Sequence, residues 1–396
     1  MSALPPAIHL ATRYLRQHPL QTALLVGTLS LLLSLPLVLR LLLHETEHRL
    51  HQRALSTPLV LGARASALDL VLSALHFRLP PPPHITLADA REASRTGLAT
   101  VIPLHIGHHA QNAPIVGTEL DYFTFRHLAL AEGTTFLRLG DCVLGASLAQ
   151  SRNLSPGDSL ISSPIQAFDL AGAYPLKMRI TGILAPSGTP DDDAAFVDLK
   201  TAWLIDGLAH GHDDLTRAPS DQILTHTETN VVGNASVRLY NEVTPSNFAS
   251  FHFHGDPKTY PLTAALVFPN DPKSDALLSG QYQEKKAVQT LQLIAPETWI
   301  TSLMSTLFRL ESLILILLIA TGTAGLLIIT LVFALSFRLR RREFHTLEDL
   351  GIAPSSLLTV KLFEILLVLL LAIALTALTL PAAHLPAPHL VRSMLH

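Results

Sequence analysis

Three long apolar runs constrain the fold of this chain more strongly than any other feature. They cover residues 19–43, 311–337 and 357–380 of a sequence of 396 residues. A helix needs roughly 20 apolar residues to cross a bilayer, and each run is long enough. Only 15% of the residues are charged, whereas an average soluble domain carries about 25%. The sequence therefore predicts an integral membrane protein with three spanning helices.

The segment before the first run has an amphipathic pattern. Residues 1–18 combine apolar side chains with arginines at helical spacing, which is typical of a helix lying on a membrane surface. The first run is longer than the apolar core of a cleaved signal peptide, which has roughly 7–15 residues. We therefore expect a cytoplasmic interfacial helix at 1–18 and an uncleaved anchor at 19–43.

Arginines at the ends of the runs indicate the orientation. Two arginines precede the first run, and four lie between 338 and 342, directly after the second. Arginine and lysine accumulate on the cytoplasmic side of a membrane. Arg49 and Arg53 weaken this bias but do not reverse it. The expected topology places residues 44–310 and a short tail at 381–396 outside, and residues 338–356 inside.

Residues 44–310 alternate short strand and helix patterns. A mixture of this kind is typical of an α+β domain, and the segment is long enough for one or two subdomains. The only cysteine, Cys142, permits no disulfide within the sequence and suits a small buried hydrophobe. Strand patterns are found at 99–107, 113–118, 158–163, 176–185, 194–199, 235–240 and 261–268.

The charged segment 338–356 between the last two runs predicts a short helix. Phe344, Leu347 and Leu350 recur at helical spacing and form an apolar stripe, which Arg341 and Glu343 flank. The stripe indicates a docking surface for a partner. A topological loop without a partner would also explain the arginines, but it would not explain the stripe or the acids.

The end of this short helix carries stop signals. Gly351 is suited to a left-handed C-terminal cap, and Pro354 prevents continuation. Ser355 or Ser356 is then placed to cap the third spanning helix.

Glu364 lies within the third apolar run. An ionisable group at such a depth is a candidate functional site. A pair with Lys361, one helical turn earlier, is the equally weighted alternative. In the second run, Gly322 and Gly325 permit close contact between helices.

Three segments carry a family resemblance. Residues 141–160 are similar to a "strand, Gly, helix, Leu-x-x-Gly-Asp" motif, and 178–199 to a "strand, Gly-Ile-x, Pro-x-Gly-Thr, Asp, strand" motif. Residues 340–364 resemble "Arg-x-x-Glu-aliphatic… Leu-x-x-Leu-Gly-aliphatic… Glu". With one run before a large domain and two after it, the chain resembles the FtsX-like permease subunits of ABC transporters, of the MacB and lipoprotein-releasing type.

The resemblance implies a non-catalytic subunit of a bacterial inner membrane, with a MacB-like periplasmic core domain. It implies a homodimer or paired permease, a separate ATPase chain that holds ATP and Mg²⁺, and periplasmic or lipoprotein partners. It also implies that 338–356 is the helix that couples to the ATPase. No Gly-x-x-x-x-Gly-Lys-Ser/Thr motif is present in this sequence. The net charge of −3 gives no indication of nucleic-acid binding.

The chain departs from the family pattern at its end. Members usually have a fourth span, whereas 16 residues follow the third apolar run here. The expectation is either a subunit with three spans or a shortened chain.

Histidine is abundant, with 20 residues, and several form clusters. One cluster lies at 105–109. Two others combine histidine with aspartate, and imidazole with carboxylate suits zinc, copper or nickel. Histidines at i and i+2 share a strand face. The sequence thus names a zinc candidate set of His210, His212, Asp213, His252, His254 and Asp256.

A second class of function remains open at this point. The histidine clusters fit a membrane-anchored metal-sensing or scaffold receptor that has no ATPase. Solvated surface histidines are the simpler explanation for any one cluster.

Overall fold

The computed structural model describes residues 4–78, 80–164, 174–211, 223–226, 231–233, 240–284 and 290–384. Three sequence predictions fall outside this part of the chain. They concern the strand at 235–240, except its last residue, the ligands His212 and Asp213, and most of the tail at 381–396.

The described helices lie at both ends of the chain and between the strands. In chain order they are α1 (Leu4–Gln17), α2 (Pro19–Leu55), α3 (Ala67–His76), α4 (Leu87–Arg95), α5 (Asp121–Phe125), α6 (Ala146–Arg152), α7 (Leu199–Ile205), α8 (Pro272–Glu284), α9 (Pro296–Leu339), α10 (Arg341–Asp349) and α11 (Pro354–His384).

The described strands all lie between α2 and α9. They are β1 (Leu59–Ala63), β2 (Ile85–Thr86), β3 (Ala99–Ala110), β4 (Ala113–Thr118), β5 (Leu130–Gly133), β6 (Asp141–Leu144), β7 (Ser159–Ile161), β8 (Leu176–Leu184), β9 (Ala195–Asp198), β10 (Ala209–Gly211), β11 (Ile223–His226), β12 (Val231–Gly233), β13 (Asn241–Glu242), β14 (Phe251–Phe253), β15 (Pro261–Leu262), β16 (Ala264–Pro269) and β17 (Leu291–Ile294).

The chain divides into two compact units. The helical unit comprises Met1–His48 and Ser302–Met394, and the sheet domain comprises Arg49–Thr301. The boundaries lie inside α2 and α9, because each helix continues without a break beyond its apolar run. The sheet domain is therefore somewhat shorter than the segment 44–310 delimited by the sequence.

Three helices of the described chain are long and apolar enough to cross a membrane. They are Pro19–Leu55, Pro296–Leu339 and Ser355–Thr379. This finding confirms the three predicted spans. Residues 4–17 form α1, as the amphipathic pattern at 1–18 predicts.

The helical unit has its own apolar core. Leu25, Ile329, Phe333 and Val368 are buried there. Gly325 lies close to α2, because a side-chain carbon at this position would come within 2.9 Å of Leu32. The predicted close helix contact is therefore found at Gly325. A side-chain carbon at Gly322 would meet no described atom within 4 Å.

An 11-stranded mixed sheet organises the second unit. Nine strands follow the order β13-β8-β6-β9-β4-β3-β16-β1-β17, and β5 and β7 also pair with β8. Parallel pairs, such as β4 with β9, lie beside antiparallel ones, such as β3 with β16. Among the described residues, two apolar clusters belong to the core of this unit, one containing Cys142 and the other Trp203. The predicted combination of spanning helices with an α+β domain is confirmed.

Several of the predicted strand patterns coincide with strands of the sheet domain. The pattern at 113–118 coincides with β4, and the pattern at 99–107 forms the first part of the longer β3. The pattern at 261–268 forms two short strands, β15 and β16, separated by Thr263. Thr263 donates its hydroxyl to the carbonyl of Ile106 at 3.0 Å, and this side-chain bond interrupts the ladder.

Candidate functional site

Helix α10 ends as its sequence predicts. Gly351 has φ +90°, a conformation that favours glycine. The amide of Gly351 donates to the carbonyl of Glu348 at 2.9 Å, and the amide of Ile352 donates to Leu347 at 3.1 Å. This pair of bonds is the Schellman arrangement that closes a helix. Helix α11 begins at Pro354, so Ser355 and Ser356 lie inside it and do not cap it from outside.

The apolar stripe of α10 is divided between an inner and an outer face. Phe344 is buried and contacts the ring of Phe337, with the ring centroids 6.5 Å apart. Leu347 is half-buried, and Leu350 is 75% exposed. Arg341 and Glu343 are exposed as well. Phe344 therefore attaches the helix to its own chain, and only the outer residues remain accessible to a partner.

Arg340, in the turn between α9 and α10, is the centre of a polar network. Its Nη1 atom lies 3.0 Å and 3.2 Å from the two carboxylate oxygens of Glu364. Its guanidinium also lies 3.7 Å from the ring centre of Tyr14. A guanidinium over an aromatic face and against a carboxylate is held in one orientation. The network ties α1, α10 and α11 to the same turn.

Glu364 has a different ion-pair partner from the one that the sequence suggested. Its ion pair is with Arg340, and Lys361 instead lies over the rings of Phe337 and Phe344. Sequence reasoning missed Arg340 because it treated the four arginines as one topological signal. The resemblance offered a clue, since its motif at 340–364 begins with this arginine and ends with this glutamate.

A second polar network holds the end of α2 inside the sheet domain. Arg53 is 6% exposed, and its side chain forms an ion pair of 2.7 Å with Asp191, which is fully buried. Another nitrogen of Arg53 donates to the hydroxyl of Tyr122 at 2.8 Å, and that hydroxyl donates to Asp191 at 2.6 Å. Arg126 donates to the hydroxyl of Ser56, just beyond the helix, at 2.9 Å.

Asp191 and Tyr122, the two partners of Arg53, have pKa values that differ from their ordinary ones. Burial alone would raise the pKa of Asp191, but the charge and hydrogen bonds of Arg53 outweigh it and hold that pKa below its ordinary value. Burial raises the pKa of Tyr122. Asp191 is therefore an anion and Tyr122 a neutral donor at neutral pH. In the sequence Arg53 is visible only as a weak topological signal, because its partners lie far away along the chain.

A triad of two buried histidines and one half-buried aspartate joins β3 to the end of α7. The Nε2 atoms of His105 and His108 lie 2.8 Å and 2.6 Å from the two carboxylate oxygens of Asp206. Residues three apart on a regular strand point to opposite faces. Here the register shifts between Ile106 and His108, and this β-bulge turns both imidazoles to one face.

The electrostatics of the triad favour an ionised aspartate. Burial would raise the pKa of Asp206, but the hydrogen bonds from His105 and His108 lower it well below its ordinary value. Burial, together with the neighbouring His105, lowers the pKa of His84, whose ring lies 5.5 Å from that of His105. The histidine cluster at 105–109 thus contributes two residues to a compact ionic group.

The predicted zinc set is assembled only in part. His210, His252 and His254 come together on the surface, with ligand nitrogens within 4.8 Å of one another. Asp256 instead caps its own helical turn, since its carboxylate accepts the amide of Lys258 at 3.0 Å. The first two histidines of the group belong to different clusters of the sequence, which the strand pairing of β10 with β14 brings together.

The chain is similar to known transporter domains. A family model for the MacB-like periplasmic core domain matches residues 60–249. The periplasmic region of MacB from Actinobacillus actinomycetemcomitans is 12% identical, with a TM-score of 0.35, and the match covers 64% of this chain and 97% of that one.

A further similar structure is the extracellular domain of the noncanonic ABC-type transporter YknZ from Gram-positive bacteria. It is 12% identical, with a TM-score of 0.32, over 60% of this chain and 98% of that one. No curated protein matches the sequence.

The domain match and the membrane-spanning helices define the class of this protein. The matched residues begin in β1, shortly after the first apolar helix, and end before the second. The matched domain, and its position along the chain between the first and second apolar helices, agree with the resemblance noted in the sequence. Residues 60–249 therefore form a MacB-like periplasmic core domain, which lies in the chain between two helices apolar enough to cross a membrane.

Proposed function

We propose that the chain couples ATP hydrolysis in a separate ATPase chain to movement of its extracytoplasmic sheet domain. One observation carries this proposal. Helix α2 is a single helix from Pro19 to Leu55, and its last turn is held inside the sheet domain by Arg53 and Asp191. A displacement of the spanning part of α2 therefore acts on a residue of the domain core.

The cytoplasmic contact of this mechanism is α10. Phe344 and Arg340 hold the helix against its neighbours, while Arg341, Glu343 and Leu350 remain exposed. Because its ends continue into α9 and α11, a load on α10 acts on both spanning helices. We propose that these exposed residues bind the ATPase chain, which in turn binds the nucleotide and Mg²⁺.

The family also supports a wider arrangement. We propose a homodimer in the inner membrane of a bacterium, with the N-terminus and α10 in the cytoplasm. The sheet domain then acts on periplasmic, lipoprotein or lipid-linked cargo. The spanning helices are apolar over most of their length, which disfavours a hydrophilic channel and favours mechanical transmission.

Leu350 offers a direct test of the contact with the ATPase. Leu350→Asp places a charge at a position that is 75% exposed, so the subunit should still fold. We expect the variant to lose most of its association with the ATPase that co-purifies with the unmodified chain from its native host. Leu137→Asp is the matched control, because Leu137 is 76% exposed but lies in the sheet domain.

The outcome also separates the two classes of function. Equal recovery of an ATPase with both variants would refute α10 as the contact. If no ATPase accompanies the unmodified chain, the proposal is wrong and a metal-sensing or scaffold receptor becomes the better description.

A further inference from the structure

Three histidines form a triangle on the surface of the sheet domain. The ring centres of His210 and His252 are 4.9 Å apart, those of His210 and His254 4.6 Å, and those of His252 and His254 4.5 Å. All three side chains are exposed. The triangle lies on β10, on β14 and on the residue that directly follows β14, and it involves no residue of α10 or of the Arg53 network.

The strand pattern explains why the three imidazoles share one face. In the sequence Phe-His-Phe-His (251–254) the two phenylalanines pack against the domain core and the two histidines point outward. His210 lies directly opposite His252 in the antiparallel pair. Side chains opposite each other in such a pair are close neighbours.

The backbone beneath the triangle is held by further bonds. The amide of His254 donates to the carbonyl of Leu208 at 2.9 Å, which extends the pairing beyond β14. The carbonyl of His254 accepts the hydroxyl of Tyr260 at 3.0 Å. The spacing of the three side chains is therefore set by the fold, and each ring needs only side-chain rotation to turn its nitrogen inward.

Among the described residues the group consists of three imidazoles, and this set of ligands suits a transition metal. A tetrahedral ion with metal–nitrogen distances of about 2.0–2.1 Å places its ligands about 3.4 Å apart. The ligand nitrogens lie within 4.8 Å of one another, and exposed side chains change rotamer on a timescale of picoseconds to nanoseconds. Imidazole ligands suit zinc, copper and nickel, with copper bound most tightly.

We propose that His210, His252 and His254 bind one divalent transition-metal ion, with a fourth coordination position open to solvent. Three protein ligands with one open position are typical of zinc sites that bind a further ligand. The triad of His105, His108 and Asp206 is different, because its nitrogens already contact both oxygens of Asp206 directly. The three histidines of the surface triangle are all exposed, so this group is the more accessible of the two to an ion from solvent.

The test compares zinc binding by the full-length protein and by three single variants. The purified chain is stripped with a chelator and then titrated with Zn²⁺ in competition with a chromophoric chelator. His210→Gln, His252→Gln and His254→Gln should each weaken Zn²⁺ binding at least about tenfold, since loss of even an outer-shell group costs about that much. His109→Gln is the control, because His109 is exposed and lies on β3.

Copper provides an independent readout of the ligand set. The EPR spectrum of bound Cu²⁺ should show hyperfine coupling to three imidazole nitrogens in the native chain and to two in each single variant. Unchanged Zn²⁺ affinity in the three variants, or the same copper spectrum in the native chain and a triple variant, would overturn the proposal. Equal losses in His109→Gln would also overturn it.

Discussion

At the scale of single residues, the sheet domain contains one buried and one half-buried carboxylate with cationic or imidazole partners. Asp191 holds Arg53, and Asp206 holds His105 and His108. A buried charge is costly unless it is paired. These pairs therefore specify position: the first holds the end of α2 in the domain, and the second holds the end of α7 on β3.

Removal of Arg53 should strongly destabilise the sheet domain. Arg53→Leu leaves the fully buried Asp191 without its cation, and breaking such a pair costs about 3–5 kcal/mol. Urea unfolding of the full chain in detergent measures this through Trp203. In a Trp299→Phe background Trp203 is the only tryptophan.

Two further variants make the Arg53 test specific. Arg95→Leu removes an arginine with a 76% exposed side chain and should change the free energy of unfolding little. The double variant Arg53→Leu/Asp191→Leu should recover part of the loss, because both buried charges are gone. A loss no greater than that of Arg95→Leu would contradict the assigned role of Arg53.

Asp206 predicts an acid-sensitive contribution to stability. Its pKa is lowered in the folded domain, and that of an unfolded aspartate is about 3.9. The folded state thus gains stability that is fully present above about pH 4 and is lost as the pH falls toward the folded pKa. The melting temperature of Asp206→Asn, followed through Trp203, should depend less on pH below about pH 4 than that of the parent.

The control for Asp206 is another aspartate of the same domain. Asp69 is exposed at the start of α3, so Asp69→Asn should retain the acid sensitivity of the parent. If Asp206→Asn keeps the full sensitivity, the stability of the domain does not depend on ionisation of Asp206.

At the scale of elements, the two helices that continue beyond their apolar runs matter most. Helix α2 has 37 residues and α9 has 44, so each is longer than the roughly 20 residues that a span requires. Under the proposed function, the continuity of α2 between its apolar run and Arg53 carries the movement.

An insertion that interrupts α2 tests this continuity. Three glycines placed between His48 and Arg49 should leave the Arg53 network folded. They should break the helical connection between this network and the apolar run of α2, because glycine disfavours helix. We expect the ATP-dependent change in protease sensitivity of the sheet domain to be lost. The same insertion after Gly97, in an exposed turn with φ +69°, should preserve it. An unchanged response in the α2 insertion would exclude transmission through this helix.

At the scale of the whole molecule, the periplasmic-type domain and the arginine bias together predict a single topology. In this predicted topology the sheet domain lies outside, and α10 lies inside. Cys142 is fully buried in the sheet domain, and burial raises its pKa, so the native thiol should react slowly. Labelling of introduced cysteines can therefore be measured with little contribution from Cys142.

Labelling of intact cells with a membrane-impermeant maleimide tests the topology. Leu137→Cys, in the sheet domain, should be labelled once the outer membrane is permeabilised. His345→Cys, on the exposed face of α10, should be labelled only after lysis. The reverse pattern would show that the orientation is inverted.

The sequence by itself determined the number of spanning helices, the α+β class of the domain, and the position and end of α10. These features depend on local properties: the length of apolar runs, alternation along strands, and the left-handed conformation of Gly351. Its motifs also indicated the family, because their order along the chain is visible without a structure.

Only the tertiary structure decided which charged and imidazole groups meet. Arg53 and Asp191 are separated by 138 residues in the chain, and Arg340 and Glu364 by 24. The bulge after Ile106 places the side chain of His108 on the same face of β3 as that of His105. The pairing of β10 with β14 brings His210 next to His252 and His254, which belong to a different cluster of the sequence. Contacts of this kind depend on register and packing between distant elements, which no local pattern of residues specifies.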